Sequence, residues 1–198
     1  MKITFAYNAP VQFRLLLEGH VSSRQRGSST ERHKLRQFLH PQLKKLCHEH
    51  PSLKSWSVVP PGGVGSKIER IANEHKFGAY RFVPVIRKKA AENIVSLDFL
   101  ILRPTAGRGV FDGRGDLDGR IKSIIDVLRK PSQPDEVKSS PAEGEDPFFV
   151  VLEDDSQIYE FSVSTDTLWR RDPDVANANG INELFAVINV KAKSVDSD

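Results

Sequence analysis

A chain of 198 residues, 38% hydrophobic and 28% charged, has the length and make-up of one soluble globular domain with a core of ordinary size. Its formal charge of +3 and pI near 9.0 lean mildly toward an anionic partner. The single cysteine, Cys47, excludes an intrachain disulfide and points to a reducing, cytoplasmic compartment. No run approaches the roughly 18 apolar residues of a membrane span, and Met1–Tyr7 lacks the charged leader and long apolar stretch of a secretory signal.

In chain order, Ile3–Tyr7 and Val11–Leu17, split by Asn8-Ala9-Pro10, read as strand, turn, strand. His20 to Thr30, with Arg24 and Arg26, reads as an exposed basic loop, and Ser28, Ser29 or Thr30 can cap the helix that follows. Leu35, Phe38, Leu39, Leu43 and Leu46 recur at three- and four-residue spacing on one helical face, with a kink or a junction of two helices expected at Pro41. Pro60–Gly65 is a loop, followed by a short helix over Ser66–Glu74. Strands at Ala79–Arg87 and Ile94–Arg103, joined by a charged link, suggest a hairpin. After a loop over Pro104–Gly115, Ile121, Ile124, Ile125 and Leu128 mark an amphipathic helix stopped by Pro131. Residues 131–147 read as a surface insertion. Strands return at Phe148–Leu152, Gln157–Thr165 and Leu184–Val190, the last preceded by a turn at Asn179-Gly180. Strands and helices mix without βαβ regularity, so the fold class is α+β: a single domain over residues 1–192, a mixed sheet packed with a few helices, and a frayed tail at 193–198.

Two acidic clusters stand out, Asp116-Leu117-Asp118 before the amphipathic helix and Glu153-Asp154-Asp155 before a strand. In extended backbone Asp116 and Asp118 would face one small volume, with Leu117 turned into the core. Two carboxylates about 4 Å apart repel by roughly 4 kcal/mol at an effective dielectric near 20, so such crowding favours a cation between them. Oxygen-only ligands suit magnesium, with manganese as a substitute. Lys122 lies one helical turn beyond Asp118 and can point back to it, and Asp126 is expected a further turn along the same polar face. Carboxylates that hold a metal, with an ammonium beside them, are what hydrolysis of a phosphodiester requires. Turns and helix caps use Asp freely, so D-x-D alone specifies nothing. The ordered combination is the signal.

The stretch Asp116-Leu117-Asp118-Gly119-Arg120-Ile121-Lys122-Ser123-Ile124-Ile125-Asp126-Val127-Leu128 resembles the signature of the RusA-type Holliday-junction resolvases, and Leu152-Glu153-Asp154-Asp155-Ser156-Gln157-Ile158 resembles that family's second acidic element. The resemblance is close over residues 94–167. It implies a RusA-like fold, catalytic metal-binding roles for Asp116, Asp118 and Asp155, an essential lysine at Lys122, and less defined roles for Asp154 and Asp126. It also implies Mg2+ as cofactor, with Mn2+ as substitute, and paired nicks in four-way DNA junctions by a homodimer, in recombination and repair. Gly119 departs from the asparagine usual in the family, so any hydrogen bond that side chain makes to the site is missing. The spacer between the two acidic elements is also longer than in the shortest members.

Arg103, Arg108 and Arg114, in or beside the loop before Asp116, are candidates to hold DNA phosphates, as are Arg24 and Arg26 with Arg32, Lys34 and Arg36. A solvated charged surface is the competing reading for each. Cys47-His48-Glu49-His50 lacks the paired ligand elements of a zinc site, and Cys47 fits the apolar stripe. Gly62, Gly63 and Gly65 do not form a phosphate-binding loop. Trp56 and Trp169 could stack on bases, although packing is the commoner use. The alternatives to a nuclease are a catalytically weak or inactive RusA-like DNA-binding or regulatory protein, kept open by Gly119, and a nucleotide-sugar transferase using D-x-D. The transferase leaves Lys122 and the second acidic element unexplained.

Overall fold

The computed structural model describes residues 11–22, 28–88, 92–103, 117–137, 139–168 and 183–195. Strands and helices mix as an α+β fold. Their order is β1 (Val11–His20), α1 (Ser29–Glu49), α2 (Lys67–Glu74), β2 (Lys76–Phe77), β3 (Tyr80–Ile86), β4 (Glu92–Arg103), α3 (Leu117–Leu128), β5 (Phe148–Leu152), β6 (Ile158–Thr167) and β7 (Glu183–Val195). Among these, one sheet has the order β1-β7-β4-β6 and a second has the order β2-β3-β5. In the larger sheet β7 is antiparallel to both β1 and β4, while β4 and β6 run parallel.

Period-two alternation gives the larger sheet one apolar face. Leu15 stands beside Ile188, which stands beside Phe99, and all three are buried. Helix α1 covers this face with Leu35, Leu39, Leu43 and Cys47, spaced by four. Gly19 holds a positive φ where a Cβ would come within 3.3 Å of Leu35, so the end of β1 can lie close against α1. Ser28 caps α1 by accepting from Glu31 N, and Ser66 caps α2 by accepting from Glu69 N.

Several expectations need correction. The hairpin between the third and fourth predicted strands does not form: β3 pairs with β2 and, in parallel, with β5, whereas β4 belongs to the other sheet. Strand β3 is buried along almost its whole length, so it is an interior strand rather than half of a surface hairpin. Helix α1 runs through Pro41 as one helix, held by buried Leu39, His40 and Leu43 on either side. Strand β7 extends to Val195, so residues 193–195 of the expected tail are paired with β4. Within 131–147, Glu136 is not on the surface but buried against Arg36. The strand expected at Ile3–Tyr7, the turn at Asn179-Gly180 and Trp169 lie outside the described residues.

Three histidines sit in this packing as neutral rings. His40 accepts from Phe149 N through Nδ1 and reaches Gly144 O through Nε2 at 3.2 Å. His33 contacts the Tyr80 hydroxyl at 3.0 Å, and Lys130 donates to His75 Nδ1 at 3.2 Å. Burial is the largest cause lowering all three pKa values, assisted by Arg36 at His33, Lys44 at His40 and Lys130 at His75. The unfolded chain therefore binds more protons than the folded one below the ordinary histidine pKa. Stability is expected to be full above about pH 6.5 and to fall as pH drops below it, by up to about 1.4 kcal/mol per pH unit for each ring. Urea midpoints measured from pH 7.5 down to about pH 5 check this; a flat profile contradicts it. Cys47 is fully buried and its thiol is pushed up to about 12 by that burial. Folded protein should leave it unmodified by a thiol reagent that labels it at once in denaturant. The same burial removes Cys47 as a zinc ligand.

Candidate functional site

Helix α3 organises the acidic residues. Strand β1 ends at His20 and β4 at Arg103, on the same end of the larger sheet. Ser123 donates to the carbonyl of Ser22, just past β1, so the middle of α3 lies against that end. Leu117, Gly119, Arg120, Ile121, Ser123 and Ile124 are buried, leaving Asp118 and Lys122 as the exposed stripe of the first turns. Lys122 Nζ donates to Asp118 Oδ2 at 2.6 Å, with the two side chains 54% and 68% exposed. An exposed i,i+4 pair stabilises by only about 0.3–0.5 kcal/mol, so a ligand can separate it at little cost. The four-residue spacing expected to bring lysine back to aspartate does so.

The helix begins at Leu117, so Asp118 is helical rather than extended, although Leu117 is buried as expected. Asp116 lies outside the described residues. So do Arg24, Arg26, Arg108, Arg114 and the side chain of Arg103. Arg36, placed by sequence with the DNA-facing basic group, is instead buried, its Nη2 donating to Asp126 O at 2.8 Å and Glu136 Oε2 at 2.6 Å.

The second acidic element sits at the far end of α3. Lys130 N donates to Leu152 O at 2.9 Å where β5 ends, and Arg129 bridges the same residue. Asp155 Oδ2 is 3.9 Å from Arg129 Nε, whose guanidinium also contacts Lys130 O, Ser132 and Glu136. Eleven residues of helix separate Asp118 from Arg129, a rise of about 16 Å. One chain therefore does not bring Asp155 to Asp118. The cause is topological: β5, fixed by its parallel pairing with β3, delivers the acidic element to the C-terminal end of α3. Among the described residues no group of three His, Cys, Asp or Glu side chains could hold a metal ion. Of the three expected ligands, Asp118 and Asp155 therefore lie apart within one chain, and Asp116 falls outside the described residues.

The remaining acidic residues are held by local partners. Asp126 is buried, 3.3 Å from Arg129, rather than on the polar stripe with Asp118 and Lys122. Asp154 caps the turn Asp155–Gln157 by accepting from Ser156 N at 2.9 Å, and lies 3.7 Å from Lys88 Nζ. Hydrogen bonds from Ser156, with Lys88 nearby, hold its carboxyl below the usual range. Glu153 accepts from Lys88 N and lies 3.9 Å from His75. Asp155, 55% exposed, is the open member of the set.

Sequence reasoning passed over Arg129, Lys130, Lys88 and His75, which clothe this element. The signal for the first two was their position just past the end of α3, where basic groups satisfy the last helical carbonyls and the negative end of the dipole. No protein-family model matches the chain, and no curated protein matches it.

Proposed function

We propose that the chain is a magnesium-dependent, structure-specific endodeoxyribonuclease of the RusA type that nicks four-way DNA junctions, with Mn2+ able to replace Mg2+. The observation that carries this reading is the exposed Asp118–Lys122 pair on the first turns of α3, directly after Asp116 in the sequence. The proposed ligands are the carboxylate of Asp118 and that of Asp116, two residues before it in the sequence. Lys122 supplies a positive group to the charge that develops on phosphate oxygens during strand cleavage, and the N-terminal dipole of α3 adds to it. Paired nicks in opposite strands call for two sites related by a two-fold axis, hence a homodimer on branched DNA. The test is nicking of a labelled four-way junction with magnesium present and then chelated; cleavage that survives chelation contradicts the reading.

A second reading, a RusA-like DNA-binding protein with little or no cleavage, is favoured by the distance between Asp118 and Asp155 within one chain and by Gly119, buried beside Asp118. Tight junction binding without cutting under either metal would select it.

A further inference from the structure

His40 is buried on α1 with both ring nitrogens committed to backbone. Nδ1 accepts from Phe149 N in β5 at 3.0 Å, which leaves the proton on Nε2, 3.2 Å from the Gly144 carbonyl. Gly144 lies in a tight turn with a φ of +82°. There Glu145 N donates to Ala142 O at 3.1 Å and Ala142 N donates to Glu145 Oε2 at 2.9 Å. Two more α1 side chains hold this turn: Lys44 donates to Gly144 O at 3.0 Å, and Gln37 donates to Glu145 Oε1 at 2.8 Å. His33, two turns earlier on the same face of α1, is also buried and reaches the Tyr80 hydroxyl at 3.0 Å. That hydroxyl donates to Ser140 O at 3.3 Å. Both imidazoles stack on Phe148, with centroids 5.7 and 4.6 Å from its ring.

These positions suit neutral rings and oppose charged ones. A proton added to His40 Nδ1 would point at the N–H of Phe149, donor against donor, so a charged ring must leave its place. A proton added to His33 Nδ1 would meet no hydrogen-bond partner among the described residues. Around His40, Lys44 on α1 opposes the charge and Glu145 on the turn favours it. Around His33, Arg36 on α1 opposes it, Glu145 again favours it, and β3 contributes the Tyr80 hydroxyl. Glu145 faces both rings while already bonded to Gln37 and Ala142 N. The chain on either side of the turn is anchored without histidine. Glu136 pairs with buried Arg36 and its carboxyl is held at about 2, while Asp146 takes two bonds of 2.9 Å from Arg81.

We propose that His40, seconded by His33, is an acid-released latch: mild acid frees residues 139–145 from α1 while both sheets stay folded. The neutral rings close the turn against the helix, and protonation of His40 breaks its bond to Phe149 N and, with it, the hold on Gly144. The anchors at Glu136 and Asp146 bound the opening, so it is a local release rather than unfolding. It brings water to the Tyr80 hydroxyl and loosens the connection between α3 and β5. The latch is independent of what the chain does to DNA.

Amide hydrogen exchange of the full chain, followed by NMR at about pH 7.5 and about pH 5.5 and corrected for intrinsic exchange, tests it. The open form binds more protons than the closed one, so this step across the ordinary histidine pKa of about 6.5 raises the opening equilibrium by about 10-fold for one freed ring and up to about 100-fold for two. Protection of Phe149 N and Glu145 N should fall by that factor and stay below that of Ile188 N in the larger sheet. His40→Asn, whose side-chain oxygen can still accept from Phe149 N but does not titrate, should cut the fall by about 10-fold. Amides of Phe149 and Glu145 as protected as Ile188 at both pH values overturn the latch, as does an undiminished fall in His40→Asn. The wild-type ring gives a second reading that needs no variant. Its nitrogen shifts should show a bare Nδ1 at neutral pH and a protonation midpoint that matches the loss of protection; a His40 that takes up its proton with the turn still protected overturns the proposal.

Discussion

Asp118→Asn is expected to reduce magnesium-dependent nicking of a four-way junction by about 10²–10³-fold or more while leaving junction binding within a few-fold of wild type. The reasoning is local. Asp118 is solvent-facing, and its ion pair to Lys122 is of the exposed kind that contributes little to stability. The substitution removes a charge without removing volume, so the fold should be unchanged by circular dichroism and urea midpoint. Binding, which depends on basic groups and phosphates, should keep its salt dependence. Cleavage left intact would show that the α3 stripe is not the reacting site. A fall in binding equal to the fall in cleavage would place Asp118 in DNA docking instead.

Glu136→Ala is expected to have the largest effect on stability, a loss of about 3–5 kcal/mol. Arg36 is fully buried, and its Nη2 lies 2.6 Å from Glu136 Oε2, while Arg129 approaches Oε1 of the same carboxylate at 3.4 Å. Glu136 Oε1 also accepts from Ser132 N and Gln133 N. Burial pushes the Glu136 carboxyl up, but hydrogen bonding from Ser132 and the charges of Arg36 and Arg129 outweigh it and hold the group at about 2. Removing the carboxylate leaves a buried guanidinium whose Nε and Nη1 already have no hydrogen-bond partner among the described residues. Urea unfolding at neutral pH measures the loss, with a melting point lower by roughly 10 °C. The folded carboxyl is depressed relative to the unfolded one, near 4.5, so the stability it contributes is present above that pH and is lost as pH falls toward 2. The deficit of the variant should therefore shrink in acid. A variant within 1 kcal/mol of wild type would show that this network is not what anchors the 131–147 segment.

The parts of this structure legible in the sequence are those fixed by short-range rules. Ser28 and Ser66 stand where a side-chain oxygen meets a free N–H; Ser28 is one of the three caps the sequence offered for α1, and Ser66, read only as the start of the second helix, caps it in the same way. Asp118 and Lys122 meet because helical geometry joins residues four apart, whatever the rest of the fold does. What the sequence hides is set by partner choice over long separations. Strand β3 alternates too little to reveal which strand it will join, and its parallel partner β5 comes more than sixty residues later. That pairing sends Asp155 to the wrong end of α3 for a single-chain site. Arg36 and Glu136, 100 residues apart, read as two ordinary surface charges until the fold buries them together. Periodicity at β6 gives a strand, but not that Phe161 and Tyr159 stand exposed on it.

The most direct measurement is a cleavage panel: four-way junction, flap, fork and linear duplex of one sequence, each with magnesium, manganese or chelator, at protein concentrations where binding is complete. The account predicts symmetric nicks in the four-way junction with either metal, none under chelation, and little cutting of linear duplex. Saturated junctions that stay whole in both metals would contradict it.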